Sequence, residues 1–162
     1  MEKTLLGFVL VFGIIVSQGV TATAQDSVVG YWKTGGLGMI NEVNTVTGQT
    51  KNNRGTTFSY KFAADGTYTF VGYMESTMFG CTTSLFNEIT GRYMVDGTTI
   101  FLNPSRDFWK NTYSCFPNSN RSQSKIPTKK SLEFGFKTDE YGKNFICLSD
   151  AGVETCYRRE KQ

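Results

Sequence analysis

Two stretches of strict period-two alternation constrain this chain more than any other feature. Phe58, Tyr60 and Phe62 occupy every second position in residues 56–63, and Tyr68, Phe70 and Met74 do so in residues 67–75. A helix would spread these side chains around its circumference, whereas a strand places each set on one face. The residues between them, Ala64, Asp65 and Gly66, decide the register. A two-residue Asp-Gly turn sets Phe62 opposite Thr69 and mixes the faces. A three-residue loop with Gly66 in the left-handed region sets Phe62 opposite Tyr68 and Tyr60 opposite Phe70, which keeps one face aromatic. At Asp96-Gly97 the same test favours a two-residue turn, with Tyr93 opposite Ile100 and Val95 opposite Thr98. Asp65 and Asp96 are therefore read as turn formers, not catalytic acids.

Similar alternation predicts strands over residues 28–33, 85–95, 98–103, 131–137, 144–149 and 153–159, and no helical periodicity of useful length competes with it. Glycine outnumbers proline 17 to 3 and aromatic residues make up 14%, a balance that suits strands joined by tight turns. Eight short strands joined by local turns make an all-β, antiparallel up-and-down meander. Such a sheet removes its exposed edges by closing into an eight-stranded β-barrel. Two polar segments fall between strands: residues 34–55, rich in glycine, and residues 114–130, which carry Arg121, Lys125, Lys129 and Lys130 with no acid.

The chain begins with Glu2 and Lys3, then an apolar run over residues 5–16, then small residues ending in Ala22-Thr23-Ala24. This is the three-part pattern of a secretory signal peptide, with cleavage expected before Gln25 and a β-barrel domain over residues 25–162. The apolar run is short of the roughly 20 residues that span a bilayer, so no membrane span is expected after cleavage. Secretion or export to a periplasm follows, and in that oxidising space the four cysteines are expected as two disulfides. If Leu148 faces Thr155 across a hairpin at Ala151-Gly152, Cys147 lies opposite Cys156, and Cys81 is left to pair with Cys115. Each bond should contribute roughly 2.5 to 4 kcal/mol by loop closure.

The chain contains no histidine, so neither a Ser/His/Asp triad nor an imidazole zinc site can be built. Cysteine spacings of 34, 32 and 9 do not resemble the close pairs of a four-cysteine metal centre. No metal or other cofactor is expected. The net charge of +3 is too small to predict a nucleic-acid surface. Glu75, Glu88 and Glu133 are the remaining candidates for acid and base work, but nothing in the sequence brings two of them together, and no enzyme activity is expected.

Gly30-Tyr31-Trp32 resembles the G-x-W of the first strand in lipocalin-like proteins, the calycin group, and a long segment follows it as in that family. The resemblance implies that Trp32 sits at the closed end of the barrel with an arginine near the end of the last strand packed across it, Arg159 or Arg158, of which Arg159 is favoured because it shares a face with Tyr157. Thr138-Asp139-Glu140-Tyr141 is similar to the family's T-D-Y motif with one residue inserted. The chain also resembles uncharacterised exported bacterial lipocalin-like proteins in its G-C-T-T, V-D-G, D-E-Y-G and C-Y-R-R stretches.

Strand parity sends Phe58, Tyr60, Phe62, Tyr68, Phe70, Tyr93 and Tyr157 inward, together with Trp32, Ile100, Leu102, Ile146 and Leu148. An eight-stranded barrel holds one small molecule or its own side chains. If the rings line a pocket, the first seven are its ligand-binding residues and the protein holds a small hydrophobic ligand. If they fill it, the protein acts as a protein-binding or inhibitory module through residues 34–55 and 114–130.

Overall fold

The computed structural model describes residues 27–37, 41–43, 50–52 and 54–161. The leader read in residues 1–24 and its cleavage point lie outside these described residues. Eleven strands follow in chain order: β1 (Gly30–Leu37), β2 (Asn41–Val43), β3 (Thr50–Asn52), β4 (Arg54–Phe62), β5 (Thr67–Met78), β6 (Cys81–Asp96), β7 (Thr99–Tyr113), β8 (Arg121–Lys125), β9 (Lys130–Thr138), β10 (Asn144–Asp150) and β11 (Val153–Glu160). All pairings are antiparallel. Eight of the strands form a closed ring in the order β1, β4, β5, β6, β7, β9, β10, β11, with β11 returning to β1. The ring is the expected meander. Among the described residues no helix is long and apolar enough to cross a membrane.

Several registers follow directly from the alternation. The three-residue loop at residues 64–66 is present, with Phe62 opposite Tyr68, Tyr60 opposite Phe70, and Gly66 at φ +79°. Cys147 lies opposite Cys156 and the two are bonded, as are Cys81 and Cys115.

The β6–β7 turn differs from expectation. Asp96 pairs with Thr99, so the loop is Gly97-Thr98, and Tyr93 faces Leu102 while Val95 faces Ile100. Gly97, at φ +56°, takes the first loop position, the place where a type II′ turn needs glycine. The slip is two residues, so every side chain keeps its face.

Several strands also run beyond their apolar pattern, β7 the furthest, to Tyr113. The first begins at Gly30, not Val28, and runs on through Thr34 to Leu37 against β4. At Gly35, φ is +74° and a Cβ would stand 2.1 Å from the Thr56 carbonyl oxygen, so only glycine permits the approach. The rest of the 34–55 segment contributes β2 and β3, which pair with each other. β5 and β6 extend through threonines and serines to a two-residue turn at Phe79-Gly80, both at positive φ. Within 114–130, β8 is a solvent-exposed strand paired with β7, not an unpaired loop.

β7 controls how the ring is built. Against β6 its register shifts between Thr90 and Gly91, leaving Ser105 as a bulged residue. The extra residue switches parity: Ile100, Leu102 and Pro104 face inward below it, Asp107 and Trp109 above. Gly91 makes the crossing possible, because a Cβ there would stand 2.4 Å from the Asn103 carbonyl oxygen and 2.5 Å from the Pro104 Cα. On its other edge β7 pairs with β9 through Leu102 opposite Lys130, and with β8 through Asp107 opposite Lys125. On this edge residues 103–106 and 126–129 make no ladder pairs. Each segment contains a proline, Pro104 and Pro127, which lacks the N–H a ladder needs.

The core sits at the end where β1 starts. Val28, Trp32, Phe62, Tyr68, Tyr93, Ile100, Leu102, Leu132, Ile146, Leu148 and Tyr157 are buried, and Phe58, Tyr60, Phe70, Ile89, Val95 and Phe134 pack against them half-buried.

Two substitutions test this account. Gly91→Ala should destabilise the fold by about 2 kcal/mol or more, since backbone atoms must move to admit the methyl group. Phe79→Asn should stabilise it by about 0.5–1 kcal/mol, because a side chain that is 95% exposed loses no packing while asparagine tolerates the left-handed region. Chemical denaturation measures both, and equal stabilities for Gly91→Ala and the natural chain would contradict the crossing geometry.

Candidate functional site

The barrel floor is filled. Trp32, 1% exposed, donates from Nε1 to the Val28 carbonyl at 2.8 Å. The Arg159 guanidinium lies 5.1 Å from the Trp32 ring centroid and donates to the Val29 carbonyl at 2.8 Å. Phe136 covers Trp32 from β9, with centroids 5.9 Å apart. Phe62 and Tyr93 meet edge to face at 4.9 Å just above, and the Tyr93 hydroxyl donates to the Ala63 carbonyl.

Above this floor the interior is hollow. One cavity of ≈ 320 Å³ is lined by Tyr60, Tyr68, Phe70, Asn87, Ile89, Leu102, Pro104, Asp107, Trp109, Pro127, Thr128 and Lys130. A second, of ≈ 480 Å³, adjoins it through Tyr60 and Phe70 and includes Phe58, Leu132, Leu148, Asp150, Thr155 and Tyr157. It opens at the β10–β11 turn, the end toward which β1 runs. The first reaches the wall where β7 leaves β9 and β8 unpaired, with Leu102, Pro104 and Asp107 on one lip and Pro127, Thr128 and Lys130 on the other.

Of the seven residues expected around a ligand, Phe58, Tyr60, Tyr68, Phe70 and Tyr157 line these cavities. Phe62 and Tyr93 line neither and belong to the packed floor. Glycine at position 72 shapes the upper wall: a Cβ there would stand 3.2 Å from the Phe58 ring, so its absence lets Phe58 lie flat beside Phe70 at 6.2 Å.

Sequence reasoning missed the polar part of the site. Asn87 is 5% exposed and donates from Nδ2 to Asp107 Oδ1 at 2.8 Å and to the Phe108 carbonyl at 3.1 Å. Parity counted back from Ile89 would have found Asn87. Asp107 and Trp109 were hidden by the bulge, which reverses the parity read from Ile100. Trp109 Nε1 is buried without a partner, and Lys125 Nζ stands 3.9 Å from its ring centroid.

The hydroxyls of Tyr60, Tyr68 and Tyr157 have no hydrogen-bond partner among the described residues, and none is sealed from the cavity space. Such groups are satisfied by water or by a ligand. Burial pushes the Tyr68 phenol up to about 12, with the negative charge of Asp107 adding to the effect. Burial alone pushes Tyr157 up to about 12 and, with neighbouring charges, raises Tyr60 further.

The carboxylates considered for acid and base work line neither cavity. Glu88 pairs with Arg106 at 2.6 Å on the outer face, and Glu75 accepts from the Tyr73 hydroxyl at 2.6 Å. Glu133 is exposed. Asp139 is a turn former, accepting from the backbone N–H of Tyr141 and Lys143. The grouping of Cys147, Glu154 and Cys156 offers no thiolate, since both sulfurs are in the disulfide.

The phenols predict an alkaline limit. A phenol raised above its ordinary 10.0 in the folded chain stabilises it fully below pH 10, and that stability is lost as the pH rises toward 12. Denaturation midpoints should therefore fall between pH about 10 and 12, in step with late-titrating absorbance near 295 nm. Interior tyrosines that all ionise near pH 10 with flat stability would refute the burial argument. Comparison of the chain with family models, curated proteins and solved structures finds no match.

Proposed function

We propose that the chain is an exported, lipocalin-like binding protein that holds a small, largely apolar molecule inside the barrel and acts by binding, not catalysis. The observation that carries this reading is the pair of adjoining cavities, ≈ 320 and ≈ 480 Å³, walled by aromatic rings and supplied with unpartnered phenol hydroxyls. Their sizes fall in the range of small-molecule sites, and a mostly apolar wall with a few polar handles is the composition of such sites. Export is supported by the leader pattern and by two disulfides, which belong to an oxidising compartment. The lipocalin likeness is supported by the closed ring and by Arg159 lying across Trp32.

Native mass spectrometry on protein recovered from its host's exported fraction tests the reading. The native species should carry extra mass that denaturation releases, and the denatured chain should begin at Gln25. Protein that stays at chain mass and gains none when incubated with mixed lipid and metabolite extracts would refute it.

One observation favours the second reading, a module that docks a protein through its loops. Met78, Phe79 and Phe116 are exposed together where the Cys81–Cys115 disulfide ties the β5–β6 tip to the segment after β7. Phe79 holds φ +50° there, a conformation that a bulky residue adopts at a cost. In this reading Phe79→Asn, the stabilising change, abolishes partner binding while leaving the barrel's contents unchanged.

A further inference from the structure

We propose that the ligand carries a positive charge: a small organic ammonium whose cationic head sits at Asp107 in the ≈ 320 Å³ cavity and whose apolar body extends toward Tyr157. This rests on the container reading above and adds the chemical class of what is contained.

The charges on the cavity walls carry the argument. Three ionisable acids and bases line the two cavities: Asp107, Lys130 and Asp150. Lys130 Nζ lies 2.7 Å from Asp150 Oδ2, so these two cancel each other. Asp107 forms no ion pair among the described residues and accepts a hydrogen bond from the neutral Asn87 amide, which fixes its orientation without neutralising it. The phenols add no charge, since burial holds Tyr60, Tyr68 and Tyr157 in the neutral form. Among the described residues, Asp107 alone of the charges that line the two cavities lacks an ion-pair partner, and the ammonium of Lys125, its cross-strand neighbour, stands over the Trp109 ring instead of pairing with it.

The surroundings of that charge select among its possible partners. Tyr60, Tyr68, Phe70 and Trp109 line the same cavity. Aromatic faces attract cations through the ring quadrupole, and more strongly when water is excluded. A carboxylate among such rings suits an alkylammonium, which places its charge on the acid and its carbon shell on the rings. A bare metal ion would find too few oxygen ligands here. An anion would meet Asp107 directly. The protein already holds one ammonium on this wall, Lys125 over the Trp109 ring. The unpaired stretch at Pro104 and Pro127 puts Asp107 at the lip of the wall, within reach of an entering cation.

Three probes of matched shape test the proposal by calorimetry and Trp fluorescence: benzyltrimethylammonium, its neutral carbon isostere neopentylbenzene, and the anion phenylacetate. The ammonium should bind about tenfold more tightly than the isostere, with phenylacetate weakest. Asp107→Asn retains the acceptor for Asn87 and should remove that advantage while leaving the isostere's affinity unchanged. Equal or tighter binding of the neutral or anionic probe overturns the cation assignment but leaves the container reading standing. Failure of all three to bind overturns both. The comparison on the natural chain stands even if Asp107→Asn does not fold.

Discussion

Closure of the sheet is the constraint from which the rest of this structure follows. Once β11 pairs with β1, each strand of the ring has two neighbours and one inner face, and its side chains are committed to interior or solvent by whether their positions are odd or even. No single strand can slip by one residue without exchanging the aromatic interior for threonine and lysine. The register at residues 64–66 is therefore fixed by the whole ring and not by its turn alone. Among the described residues the one register shift is the bulge at Ser105, and it needs a glycine opposite to let the two backbones cross. That local exception brings Asp107 and Trp109 to the inside.

The same chain fills one end of the barrel and leaves the other hollow, and side-chain size by level explains the difference. Near the start of β1 the inner positions are Trp32, Phe62, Tyr93, Ile100 and Ile146; Phe62 and Tyr93 meet edge to face, and Trp32 lies under the Arg159 guanidinium. Large residues from facing strands interdigitate there and exclude a cavity. Higher up, Gly72 and Gly91 take inner positions, Asn87 and Asp107 replace apolar groups, and Pro104 and Pro127 interrupt the ladder. Fewer atoms project into the same cross-section. The question of a filled or an open barrel thus has a different answer at each level.

What could be read from the sequence was the part carried by apolar alternation: the meander, the aromatic face, the cross-strand disulfide and all twelve inward residues. What could not be read was strand without that pattern. β8 and the upper half of β7 are built from Asp107, Lys110, Asn111, Ser122 and Gln123, and only backbone pairing shows that they are strands. Pro104 and Pro127 lie in the stretch where β7 pairs with neither β9 nor β8, a break that apolar alternation does not mark. The turn at Gly97-Thr98 was misplaced because a two-residue slip leaves every side chain on its face, so the alternation that favoured Asp96-Gly97 fits both registers equally. Of the cavity walls, the rings of Phe58, Tyr60, Tyr68, Phe70 and Tyr157 were legible, and Asp107 and Trp109, beyond the bulge, were not.

That division has an energetic logic. Rings that face inward lower the free energy of folding wherever they stand, so their pattern serves fold and site alike. A carboxylate, a buried amide and three unpartnered phenols do the reverse: each surrenders hydration on entering the barrel and regains it only from water or from a guest. The Asn87–Asp107 hydrogen bond recovers part of that loss, and the breach in the wall leaves Asp107 only partly buried. Groups of this kind give a pocket its selectivity because the fold leaves their bonding capacity unspent. They are also the groups that alternation cannot announce, since nothing about folding selects for them.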